Sequence, residues 1–168
     1  MINYNILSKS YKLRKLKKED ISIIYDLCID NKIYYKYCPP SPSYESIKKD
    51  MLALPPKKEY IDKYYLGYFK DNKLIAVLDL IDKYPNDKTI FIGFFMLDIN
   101  FQNKGIGSKI VNELIDSVKK LGYQDIRLGY VEGNNQSYSF WKKNGFIDTG
   151  LRNHNDEYTV VILNKKIN

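Results

Sequence analysis

The longest amphipathic pattern in the chain begins at Ile106. Ile106, Ile110, Val111, Leu114, Ile115, Val118 and Leu121 recur at intervals that put them on one face of a helix, while Ser108, Asn112, Glu113, Asp116, Lys119 and Lys120 take the other face. Gly122 is placed to end that helix. Before it, residues 89–97 are a short apolar and aromatic run without helical period, the pattern of a buried strand. The two patterns meet across Gly105 and Gly107, so the predicted unit is a strand, a glycine turn and a helix N-terminus.

The remaining pattern fills in a sheet around that unit. Residues 11–16 alternate as a strand, and Asp20 stands where it can cap a helix carrying Ile21, Ile24, Leu27 and Cys28 on one face. Three prolines within residues 39–42 exclude a continuous helix, after which Ser41 or Ser43 can cap another one bearing Ile47, Met51 and Leu54. Residues 64–69 and 74–81 read as strands joined by a hairpin through Asp71 and Asn72, and a turn at residues 84–87 leads into the strand at 89–97. These three strands form an antiparallel meander. Residues 126–131 follow the long helix and should lie parallel to the strand before it. Residues 158–163 make a last strand, and His154, among Asn153, Asn155 and Asp156, reads as part of a solvated turn. The fold class is α/β in the α+β sense: one domain over residues 1–168, with a mixed, mostly antiparallel sheet flanked by helices.

The strand, glycine turn and helix have a chemical use. The first turn of a helix leaves backbone N–H groups unpaired and partly positive, and glycine lets an anion approach the backbone. The P-loop spacing is absent, and the dinucleotide fingerprint would need a third glycine where Ile110 stands. What remains is Q-x-x-G-x-G, formed by Gln102, Gly105 and Gly107. A second stretch, residues 134–146, has the form N-x-x-S-x-x-F-W-x-x-x-G-F, with Asn134, Ser137, Gly145 and Phe146 at its fixed positions. With these two signatures in this order, the chain resembles the GNAT superfamily of acetyl-CoA-dependent N-acetyltransferases. The opening, Leu13, Arg14, Leu16 and Asp20, is similar to that family's opening as well.

Composition narrows the picture modestly. A chain of 168 residues with 44% hydrophobic content can build one core without disulfides. Cys28 and Cys38 have no metal or redox spacing, and a single histidine leaves no Cys/His zinc site, so no metal is expected. No apolar run approaches a membrane span and the N-terminus lacks a leader pattern, which makes a cytoplasmic location and no membrane partner the expectation. The net charge of +7 suits a polyphosphate ligand and would equally suit nucleic acid, but its lysines are spread along the whole chain, so nucleic acid is not the favoured partner.

The resemblance implies a site. The loop through Gln102, Asn103, Lys104, Gly105, Ile106, Gly107 and Ser108 would hold the coenzyme A pyrophosphate on its backbone N–H groups. Met96 and Leu97 would pair with the pantetheine arm as an added strand does, and the Leu97 N–H would face the thioester carbonyl. Asn134 would reach the pantetheine, with Ser137 and Trp141 counted with the same cofactor site. Acetyl-CoA is then the acetyl-donor co-substrate and a primary amine of a small molecule or peptide the acceptor, attacked in a ternary complex of a monomer or homodimer. Two departures stand out. Phe91 occupies the position where many members carry a Glu, and Trp141 replaces the Tyr that commonly protonates the leaving thiolate. Asp79, in mid-strand, and Tyr138, three residues before Trp141, are the candidate substitutes; Asp82, Asp98 and Glu132 lie near strand ends. The tyrosines of residues 34–37 are candidate acceptor contacts. A catalytically weak acyl-CoA-binding module is the alternative that the missing Glu and Tyr motivate.

Overall fold

The computed structural model describes residues 2–167. Asp71 and Asn72 both adopt positive φ, +48° and +62°, the backbone of a two-residue turn whose twist matches its flanking strands. That turn joins β2 (Lys63–Lys70) to β3 (Lys73–Ile81). β1 (Lys12–Lys15) pairs on the far side of β2, and β4 (Thr89–Leu97) follows β3, both antiparallel. Helix α4 (Ile106–Lys120) then carries the chain to β5 (Asp125–Val131), which lies parallel to β4. The chain ends in β6 (Ile147–His154) and β7 (Thr159–Lys166), and the seven strands are ordered β1-β2-β3-β4-β5-β7-β6.

The helices divide between the faces as their apolar stripes dictate. Helices α1 (Ile21–Ile29), α2 (Lys32–Tyr37) and α3 (Tyr44–Leu52) belong to one face. There Ile24, Leu27, Cys28 and Ile47 pack with Tyr65, Val77 and Met96. The other face carries α4, with Ile110, Val111, Leu114 and Val118 against Leu78, Ile90, Ile92 and Leu128. Trp141, on helix α5 (Asn135–Lys143), joins that second core. A strand covered on both sides has to be apolar along its whole length, which is why β3 reads as a continuous hydrophobic run rather than an alternating one. Among the described residues no helix is long and apolar enough to cross a membrane.

Three expectations change. Asp20 does not cap α1; its carboxylate accepts two bonds of 2.7 Å from the Arg14 guanidinium and one of 2.8 Å from the Lys17 N–H, and the arginine holds it below the usual carboxylate range. Ser43, rather than Ser41, caps α3 through a reciprocal bond with Ser46, and the helix stops before Leu54. β6 is a strand that the hydrophobic pattern misses, because it lies at the sheet edge with nearly every residue exposed and an irregular register between Asp148 and Arg152. His154 accordingly ends a strand, its Nδ1 2.9 Å from Thr159 Oγ1, and the turn comes after it.

Candidate active site

One residue opens the sheet. The β3–β4 register pairs Asp79 with Phe94 and Leu80 with Ile92, leaving Gly93 as an extra residue on β4. Such a bulge bends its strand and re-aims the residues beyond it. Only glycine fits it, since a Cβ at Gly93 would lie 2.6 Å from Asp79 Oδ2. On its other side β4 pairs with β5 only from Thr89–Asp125 to Ile92–Leu128, ending at the residue before the bulge, while β5 stays paired with β7 as far as Val131. Beyond Ile92 the two parallel strands therefore diverge.

The ladder also settles which backbone groups face the gap. The Asp98 N–H donates to Ile75 O at 2.8 Å, and the register pairs Met96 with Val77 and Leu97 with Ala76. Bonded and non-bonded pairs alternate along an antiparallel ladder, so Met96 and Asp98 turn their backbone groups to β3, and Phe95 and Leu97 turn theirs to the gap. Met96 thus lines the cleft without offering its backbone, and Phe95 takes the place beside Leu97 that the sequence assigned to Met96. The Leu97 carbonyl is already engaged by Gln102 Nε2 at 3.0 Å and Asn31 Nδ2 at 3.2 Å. Gln102 Nε2 also donates to Asn31 Oδ1 at 2.7 Å. The motif glutamine is thus a tie between the end of β4 and the α1–α2 junction, and Asn31 is a site residue that no local signal in the sequence marks.

The turn into α4 is equally specific. Asn103 (φ +57°) and Gly105 (φ +75°) are left-handed, which turns the chain so that α4 starts against the gap. Gly105 is the N-cap and has no side chain to cap with, and no acidic residue stands in the first turn. Lys109 N–H is the donor that reaches the Gly105 carbonyl, so the N–H groups of Ile106, Gly107 and Ser108 have no helical acceptor. Gly107 is buried against the Phe140 ring, 3.0 Å from where a Cβ would sit. Lys104 instead folds its ammonium onto Asn100 O at 2.8 Å, and the Ile106 side chain packs on the core.

Together these groups line a cleft of about 500 Å³ whose walls include Phe95, Leu97, Gln102, Asn103, Gly105, Gly107, Ser108, Asn134, Ser137 and Trp141. Asn134 is the N-cap of α5, its Oδ1 accepting from the Ser137 N–H at 3.1 Å. That bond leaves the amide NH₂ of Asn134 as the donor at the cleft wall. A cleft lined both by the strand end at Leu97 and by the uncapped helix N-terminus at Gly107 and Ser108 fits an extended ligand that is amide-like at one end and anionic at the other.

Residues 27–146 match the model of the acetyltransferase (GNAT) family. The chain belongs to this family. It is an acyltransferase of the acetyl-CoA-dependent kind, and solved GNAT-type structures share its fold at low identity. An acetyltransferase from Thermus thermophilus matches with a TM-score of 0.72 at 13% identity, covering 92% of this chain and 96% of that one. The PaiA N-acetyltransferase from Thermoplasma acidophilum, solved in complex with coenzyme A, gives a TM-score of 0.67 at 23% identity over 94% and 99%. The ribosomal-protein-S18-alanine N-acetyltransferase from Escherichia coli gives 0.65 at 14% identity over 93% of each chain.

Against this GNAT frame the catalytic candidates scatter. Asp79 lies on the α1–α3 face, buried, with Oδ2 2.6 Å from Lys63 Nζ and Oδ1 without a protein partner among the described residues. It lines neither this cleft nor the cavity beside it. Burial pushes its carboxyl up to about 6, against the pull of Lys63. Because the folded value lies above the unfolded one, near 4, the stability contribution is fully present below about pH 4 and is lost as pH rises through about 6. The stability difference between wild type and Asp79→Asn should therefore change across that window and level off above it; urea unfolding at half-unit pH steps checks this, and a difference that ignores pH counts against it.

Tyr138 does not share the cleft with Trp141. Its ring sits 5.5 Å from that of Tyr130 with Lys142 over it, because three residues along a helix leave a rotation that is enough to carry it off the cleft wall. Asp98 pairs with Lys73 at 2.8 Å and caps the turn after β4, Asp82 accepts from the Tyr123 hydroxyl, and exposed Glu132 lies 3.7 Å from Arg152. Trp141 is buried among Phe95, Phe140 and Phe146, ring centroids 4.9–5.8 Å apart. This is a packing role. Trp141→Phe should cost about 1–2 kcal/mol of stability yet keep most turnover in a thiol-release assay; a folded variant with a selective loss of chemistry would refute it.

Proposed function

We propose that this acetyltransferase moves the acetyl group of acetyl-CoA to a primary amine of a small molecule or peptide by direct attack in a ternary complex. The observation that carries this reading is the continuity of the Leu97 backbone with an uncapped helix N-terminus in one cleft. The N–H groups of residues 103–108 hold the pyrophosphate, and Phe95 and Leu97 offer strand-like bonds to the pantetheine amides, with the Asn134 amide as a side-chain donor. The Leu97 N–H faces the thioester oxygen and stabilises the charge that builds there. The amine nitrogen bonds to the acetyl carbon, the carbon–sulfur bond breaks, and the proton lost by nitrogen ends on the departing sulfur, carried by water. Catalysis then rests on positioning and backbone donors.

Neither cavity is lined by Asp or Glu, which supports transfer without a dedicated side-chain base. Asp79→Asn should accordingly alter turnover by less than about tenfold, where removing a true general base costs on the order of 100-fold to 10,000-fold. The test is release of free thiol from acetyl-CoA over a panel of primary amines, with wild type and Asp79→Asn compared as a function of pH. A loss of 100-fold or more in folded Asp79→Asn would return it to the role of base. The same carboxylate-free lining favours the second reading, a catalytically weak acyl-CoA-binding module, and tight donor binding with no thiol release for any amine would select it.

A further inference from the structure

We propose that the acceptor is a small primary amine carried on a compact, uncharged apolar body, bound in the second cavity between the diverging ends of β4 and β5. This rests on the acetyl-transfer reading of the adjoining cleft. The second cavity, about 300 Å³, shares Tyr34, Phe95, Asn134, Ser137 and Trp141 with that cleft, so its occupant meets the donor at a common wall. Its volume lies at the small end of the range for small-molecule sites.

The walls set the chemistry. Phe91 and Phe94 of β4, Leu128 and Tyr130 of β5 and Val160 of β7 give it an apolar, aromatic side, nearly half of its lining is polar, and among the described residues no Asp, Glu, Lys, Arg or His lines it. At its polar corner the Cys38 thiol lies beside the hydroxyls of Tyr34 and Tyr158, joining α2 to the β6–β7 turn. Burial pushes the Tyr34 hydroxyl far above its ordinary range, so it stays protonated. Of the nearby carboxylates, Asp79 sits behind the Gly93 bulge paired with Lys63, Glu132 and Asp148 face Arg152, Asp50 of α3 acts on Tyr34 and Glu157 on Tyr158, and none of them lines the cavity.

An ammonium buried without a carboxylate is costly, and a polyamine or aminosugar would bring several. The net charge of +7 opposes such polycations further. A single amine on an apolar body escapes this. Its body gains from contact with the rings, and desolvation shifts its one nitrogen toward the neutral form that attacks. Phe91, which looks like a lost base, then becomes part of the selection: the wall that cannot take a proton is the wall that keeps the amine from holding one.

Trp141 is the chain's single tryptophan and lines both cavities, so its fluorescence reports binding without turnover. With coenzyme A present at saturation, phenethylamine should half-saturate the signal at a concentration lower than spermidine by about tenfold or more, the scale of burying a small apolar group. Val160→Phe, which fills the second cavity alone, should remove the phenethylamine response while leaving donor binding in place. Equal or better binding of spermidine, no response to phenethylamine, or an unchanged response in folded Val160→Phe each overturns the proposal; if that variant does not fold, the wild-type comparison decides. Thiol release followed in parallel separates the two readings. No release with any amine, while the binding preference stands, removes the transferase reading, whereas faster release with spermidine than with phenethylamine removes the acceptor assignment and keeps the transferase.

Discussion

Replacing Ser108 by Asp is expected to make the protein more stable and nearly unable to bind acetyl-CoA. Ser108 is the third residue of α4, in a first turn with no acidic residue and no side-chain cap. A carboxylate there meets unpaired N–H groups and the positive end of a 15-residue helix, worth about 0.3–1 kcal/mol of stability. The same carboxylate occupies the field that the proposed donor site offers the pyrophosphate. Two unit charges about 5 Å apart at an effective dielectric of about 20 repel by about 3 kcal/mol, or roughly a hundredfold in affinity. Calorimetric titration with acetyl-CoA beside urea unfolding gives both quantities on one variant. Their opposite signs make the test sharp: unchanged affinity would remove the loop from the donor site, and a parallel fall in stability would mean only that the helix start had been damaged. Gly107→Val is a poorer probe, because Gly107 already touches Phe140 and a larger side chain disturbs packing whatever binds.

Lys63→Met should destabilise the fold by about 3–5 kcal/mol near neutral pH, the usual cost of removing one partner from a buried ion pair. Lys63 and Asp79 are both buried and 2.6 Å apart. Without the ammonium, whose pull holds it down, the Asp79 carboxyl is driven further above its ordinary range by burial, and any charge it keeps has one oxygen already lacking a partner among the described residues. The cost should shrink as pH falls toward about 6, because the variant's carboxyl takes up its proton at a higher pH than the wild type's, and level off below that. Lys63→Met combined with Asp79→Leu should recover most of the loss, since an apolar pair of similar volume needs no compensation. Denaturant unfolding of the two single variants and the double variant closes the cycle. A small effect in Lys63→Met would mean that water reaches Asp79 and that the carboxylate is available for other work.

How far each feature can be read from the sequence depends on how local its cause is. Strand β4 and helix α4 are legible because one-face burial leaves a period, and the turn between them because Gly105 needs positive φ. β6 is not legible: an exposed edge strand has no face to bury, so Ile147 through His154 carry no alternation. The loop proposed to hold the donor is marked by the positions of Gln102, Gly105 and Gly107, but the reason for the glutamine is not. It holds the Leu97 carbonyl jointly with Asn31, a partner 71 positions away whose own surroundings look like an ordinary helix end. Asp79 stands out in the sequence as an unusual strand carboxylate, yet only the register shows that it seats on the Gly93 bulge. Tyr138 is misplaced by sequence for a related reason, since spacing along α5 ranks neighbours but does not say where the cleft lies.

The parting of β4 from β5 gives the molecule a seam. Strands β1 to β4 form one wing and β5 to β7 another, joined within the sheet by four residue pairs and across its face by α4 and by Phe140 and Trp141 of α5 packed on Phe95. A ligand that bonds to Phe95 and Leu97 stitches that seam with atoms the chain does not encode, and the amide protons of these two residues should then exchange with solvent far more slowly. Stitching also adds to the free energy of unfolding by mass action, about 2.7 kcal/mol at a ligand concentration about a hundred times its dissociation constant. Since turnover by cellular proteases tracks the population of opened molecules, the lifetime of this acetyltransferase should rise and fall with the supply of its own acetyl donor.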